Sequence, residues 1–146
     1  MKKILIIIGV IVLPLVSLVA VAVMFKFNFA SDSTSVKSGA RYFGNEVKGD
    51  FNGDDKEDVA YLFTEDGGGS GTFYYVTAKL ADGKGFKELD AILLGDRIAP
   101  QTTEFKDGMI IVNYADRRPG EPMTNKPSVG MSSYFQVVNN SLVKVK

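Results

Sequence analysis

The chain has no cysteine, no histidine and no tryptophan. Without cysteine there is no disulfide framework, no thiolate metal site and no acylated lipobox residue. Without histidine the commonest general base and the commonest zinc ligand are both missing. A large single-sign charge is missing too, since 17 Lys+Arg balance 17 Asp+Glu over the 146 residues. Only Lys2, Lys3 and Lys26 fall in the first thirty positions, which leaves 14 basic against 17 acidic residues beyond them, a net of −3. A mildly acidic domain lacks the clustered basic face that nucleic acid requires, so nucleic acid is not an expected partner. No stretch after Phe25 carries a sustained helical period, which removes helical bundles and α/β folds.

The first thing present is a long uncharged run, Ile4 to Phe25. At about 1.5 Å per residue it spans the roughly 30 Å hydrocarbon core of a bilayer. Lys2 and Lys3 precede it and Lys26 alone follows, so the positive-inside bias sets the N-terminus in the cytoplasm and the rest outside. The competing reading is a cleaved signal peptide, with a secreted or periplasmic product. Its apolar core is usually about 7 to 15 residues. The run here is longer, and Asn28-Phe29-Ala30 offers a poor residue at the outer small position of a cleavage site. The expected organisation is a signal anchor with a short cytoplasmic N-terminus over 1–30, a polar linker over 31–39 and an extracytoplasmic domain over 40–146.

That domain reads as β. Val59–Phe63 is a short run of strand formers, apolar in both alternating sets and so expected to be covered on both faces. A turn cluster, Asp66 to Gly71, separates it from a second strand over Thr72–Leu80, and the pair reads as a hairpin. A third strand is expected over Glu88–Leu94. Lys106-Asp107-Gly108 and Asn139-Asn140 each sit between strand-like runs and signal tight hairpins. Arg41–Val47 reads as an edge strand. The predicted fold is all-β: a small, mainly antiparallel sandwich or partly open barrel, preceded by one transmembrane helix.

The densest chemistry lies in Asp50-Phe-Asn52-Gly-Asp54-Asp-Lys56-Glu-Asp58. Oxygen donors stand at alternate positions around a glycine, as in loops that wrap hard cations such as Ca²⁺. Asp50, Asn52, Asp54 and Asp58 supply side-chain oxygens, and Lys56 offers its backbone carbonyl. Five carboxylates fall within these nine positions, and a cation relieves their repulsion. Residues 49–60 resemble the calcium loops of FG-GAP and VCBS repeats and of dockerin. That resemblance implies a structural Ca²⁺ with those five residues as ligands. Position 6 of the loop is Asp55 where those families carry glycine, and Tyr61 stands where an EF-hand carries a carboxylate. No second copy is present, which excludes a repeat propeller.

A looser resemblance covers most of 45–138. Leu94-Gly-Asp-Arg-Ile-Ala-Pro-Gln101, Lys106 to Tyr114 and Asp116-Arg-Arg-Pro-Gly-Glu-Pro-Met123 resemble a group of small exported bacterial proteins, some of them lipoprotein-like. It implies a location in the cell envelope and no mechanism.

The segment 116–130 holds three prolines and two glycines, which excludes a central strand or a helix. Ordered connections of this length are often functional. Arg117, Arg118 and Glu121 within it are read as solvent-facing charges that bind an envelope polymer or protein. The enzyme alternative is a hydrolase of envelope polymer that uses two of the carboxylates Asp96, Asp116 and Glu121 as acid and base, with an arginine on the anion. The glycine run Gly67–Gly71 lacks the Lys-Ser/Thr of a phosphate loop. Ser141 and Lys144 match Ser-x-x-Lys by letter, but on a strand they point to opposite faces.

Overall fold

The structure, a computed structural model, describes residues 39–146. The expected transmembrane helix and most of the linker lie outside the described residues.

Nine strands follow one another without a helix among the described residues: β1 Ala40–Gly49, β2 Asp58–Asp66, β3 Thr72–Ala81, β4 Phe86–Glu88, β5 Ile92–Asp96, β6 Ala99–Lys106, β7 Met109–Asp116, β8 Val129–Val138 and β9 Ser141–Lys144. They form two antiparallel sheets. The first runs β1-β2-β3-β4, with β5 also on β3; the second runs β6-β7-β8-β9. The sheets do not close into a barrel. All-β, antiparallel architecture is therefore what the pattern foretold.

The hairpins form where the turn chemistry placed them. Asp107 and Gly108 have φ of 52° and 73°, and Asn139 and Asn140 have φ of 51° and 57°. Two successive positive-φ residues twist the chain with the hand of the flanking strands, which is why Asp-Gly and Asn-Asn serve here. β7–β8 are joined by 117–128, without secondary structure, as its prolines require.

One expected strand divides. Glu88–Leu94 becomes the end of β4 and the start of β5, because Leu89 turns inward between them. Its N–H donates to the Ala78 carbonyl at 2.9 Å, and its carbonyl accepts from the Thr77 hydroxyl at 2.8 Å. β4 and β5 then pair with successive parts of β3.

The inward sets of both sheets meet in one cluster: Ala60 and Leu62 of β2, Val76, Ala78 and Leu80 of β3, Ile110, Val112 and Tyr114 of β7, Phe135 of β8 and Leu142 of β9. The sheets also approach at β1 and β6, where a Cβ on Gly49 would lie 2.4 Å from the Phe105 ring. Only glycine lets these strands come so near. β2 is covered on both faces only from Asp58 to Leu62; Phe63, Thr64 and Glu65 are half-exposed. The apolar run was expected to be covered throughout. Its far end instead faces outward beside Tyr75 of β3.

Candidate functional site

The acidic loop lies between β1 and β2. Asp50 organises it. One of its oxygens accepts from the N–H groups of Gly53 and Asp54, at 2.7 and 3.0 Å, and the other from Asp55 at 2.9 Å. These donors, Asp55 foremost, hold the Asp50 carboxyl below the usual range. Asp55 takes φ of 61°, the left-handed turn that the sixth position of such a loop requires and that aspartate tolerates. Asn52 accepts from the Asp54 N–H.

Two placements depart from a simple ligand ring. Asp58 is fully buried, and its oxygens accept from the N–H groups of Phe51 and Ala81, each at 2.9 Å. It shares the inner face of β2 with Ala60 and Leu62, so it ties the loop to β3 from beneath. The Lys56 ammonium sits 2.9 Å from Asp54 and lowers its pKa, chiefly by that hydrogen bond. No three of the described acidic side chains gather as a metal-holding group. The donors left for a cation are oxygens of Asp50, Asn52 and Asp54 with the Lys56 carbonyl. They suit a hard cation in kind and compete for it with an internal ammonium.

At the second predicted site Arg117 also bridges parts of the backbone. Arg117 was read as a free charge, and it is not. Its guanidinium donates to the Arg97 carbonyl at 2.9 Å and to the Asn125 carbonyl at 2.6 Å. It thereby staples the long loop to the β5–β6 corner. Asp116 accepts from the Arg117 N–H. Asp96 accepts from the Thr72 N–H and from Arg97. Glu121 accepts from the Arg118 N–H and lies 3.8 Å from its guanidinium. Of the predicted trio only Arg118 keeps a mostly exposed side chain. The reason is geometric: twelve residues without ladder bonds still need their carbonyls satisfied, and an arginine fork reaches two at once.

No family model, curated protein or solved structure matches this chain.

A feature that the sequence reading missed lies on the outer face of the first sheet. Tyr42 pairs with Phe63, Phe63 with Tyr75, and Tyr75 with Leu93, one residue from each of β1, β2, β3 and β5. The result is a row of three aromatic residues and a leucine aligned by pairing across four strands, with the Tyr42 ring leaning on Tyr61 at a centroid distance of 5.6 Å. Phe63 and Tyr75 stack with centroids 5.2 Å apart and planes 9° from parallel. Tyr42 and Leu93, at the ends, are 52% and 50% exposed. Carboxylates border the row. The Tyr42 hydroxyl donates to Glu46, the Tyr61 hydroxyl to Glu88, and Tyr75 is paired with Glu65. Burial, then Glu46, pushes Tyr42 up to about 12, and burial, then Glu88, raises Tyr61 further. Both hydroxyls therefore stay protonated and donate at neutral pH.

The outer face of the second sheet differs. There Asn113 donates to Thr102 and Glu104, and Ser132 donates to Asn113, a polar ladder whose members satisfy one another.

Proposed function

We propose that the chain is a membrane-tethered, extracytoplasmic binding module of the cell envelope, built as a two-sheet sandwich. The uncharged run with its flanking lysines supports the tether, and the looser family resemblance supports the location. The observation that favours binding over hydrolysis is the use of the carboxylates. Asp96, Asp116 and Glu121 each accept a backbone N–H beside the long loop, whereas general acid–base work needs carboxylates directed at a substrate. What the domain offers outward is ring surface and hydrogen-bonding groups. The chain in detergent should therefore be retained on washed envelope material and released by competing soluble envelope polymer. Passage through that material, like an unrelated protein of similar charge, would remove the binding reading.

The same reading gives the 50–58 loop a structural Ca²⁺, held by Asp50, Asn52, Asp54 and the Lys56 carbonyl, with Asp58 as the buried anchor beneath. With only two carboxylates the expected affinity falls in the range of extracellular modules, about 10⁻⁴–10⁻³ M. Tenfold excess over Kd stabilises the folded state by about 1.4 kcal/mol, or several degrees in a domain of this size. Melting the chain in Ca²⁺ and in chelator should show that shift. Lys56→Ala keeps the carbonyl and removes the competing ammonium, so it should enlarge the shift. Superposed melts for both proteins would leave the loop without calcium.

A further inference from the structure

The row Tyr42–Phe63–Tyr75–Leu93 belongs neither to the core nor to the acidic loop. Adjacent strands lie about 4.8 Å apart, so four residues in line make a ridge of roughly 14 Å. Soluble proteins seldom leave rings aligned on a sheet face without a use. The flanks state what kind of partner fits. Glu46, Glu65 and Glu88 lie along the row as hydrogen-bond partners of its tyrosines or their neighbour Tyr61. Asp96, on β5 beyond the Leu93 end of the row and opposite Phe73, is already paired with Arg97 at 3.1 Å. The lysines of this face are engaged: Lys48 pairs with Glu57 at 3.0 Å, and Lys79 lies over the Tyr61 ring.

An ionised carboxylate only accepts hydrogen bonds. It welcomes hydroxyl and ammonium donors and repels anions. Aromatic rings cover C–H surface and attract cations to their faces. A partner with both properties has apolar ring faces, a rim of hydroxyls and no negative charge. We propose that the outer face of the first sheet binds a neutral or amino-sugar glycan chain, laid along the Tyr42–Leu93 row. This rests on the envelope-binding reading and deepens it: the ligand is a polysaccharide, and it lies on the sheet rather than on the 117–128 loop. An anionic polymer, or a bilayer of anionic lipid, meets the carboxylates of Glu46, Glu65 and Glu88 here and is disfavoured.

The test uses the 146-residue chain in a neutral detergent, with calorimetric titration of three probes: chitohexaose, its deacetylated amino-sugar hexamer and a polygalacturonate fragment. Leu93→Ser and Phe63→Ala are the variants; Leu93 is half-exposed, so its replacement leaves the core untouched. The neutral or amino-sugar hexamer should bind, the polygalacturonate should not, and each variant should weaken binding at least tenfold with the melting temperature of Leu93→Ser unchanged. Several outcomes overturn the proposal: no binding of either sugar, stronger binding of the anionic fragment, or full binding by a folded Leu93→Ser. A concentration-dependent dimer abolished by Leu93→Ser would also overturn it, by making the row a self-association surface. The broader reading is scored separately. If wild type and Leu93→Ser are equally retained on envelope material, the glycan face fails and envelope binding stands. If neither is retained, the broader reading fails as well.

Discussion

Asp58→Ala is expected to be among the most destabilising single changes in the domain. The carboxylate is fully buried and serves two backbone donors, Phe51 N–H beneath the acidic loop and Ala81 N–H at the end of β3. Alanine leaves both without an acceptor. A buried donor left unsatisfied costs about 1–3 kcal/mol, more where the lost partner was charged. The two together should cost about 3–5 kcal/mol, a large part of the roughly 5–15 kcal/mol that holds a domain folded. Denaturant unfolding of the chain should show the midpoint falling steeply with little change in slope. Asp58→Asn keeps one oxygen acceptor and should recover part of the loss. An Asp58→Ala protein as stable as wild type would mean that the loop is not anchored through this residue.

The two arginines of the long loop should behave as opposites. Arg117→Ala removes charge-assisted hydrogen bonds to the carbonyls of Arg97 and Asn125. Bonds of this kind contribute about 1.5–3 kcal/mol. Asn125 is exposed, so a net loss of about 2 kcal/mol is expected, together with faster proteolysis within 117–128. Arg118, whose side chain is 74% exposed and whose guanidinium lies 3.8 Å from Glu121, belongs to the class of surface pairs worth about 0–1 kcal/mol. Arg118→Ala should melt with wild type. Paired measurement of the two variants, with limited digestion as the second readout, decides the matter. Equal, small effects would return Arg117 to the solvent-facing role that its sequence neighbourhood suggests.

That reversal shows where the sequence was legible. Turns were, because their chemistry is local. Asp107-Gly108 and Asn139-Asn140 can adopt successive positive φ, and the strands on either side follow. The acidic loop was legible as a loop for the same reason, down to the left-handed turn at Asp55. The direction of Asp58 was harder. It alternates with Ala60 and Leu62, but Val59, Tyr61 and Phe63 are apolar too, so the pattern does not say which set faces the core. The division of 88–94 is tertiary, since it depends on Leu89 reaching Ala78. Arg117 depends on two carbonyls, one of them twenty positions away. The ring row needed the register of four strands: each member looks like an ordinary strand residue, and only pairing aligns them.

Every function proposed depends on the domain standing outside the cytoplasm while held to the membrane. The most direct measurement is a reporter active only outside the cytoplasm, fused after Lys146, with fractionation of the cells. The uncharged run and the lysine bias predict an active reporter that sediments with membranes and resists salt extraction. An inactive reporter, or an active one in the soluble fraction with a new N-terminus near Ser31, would contradict the account.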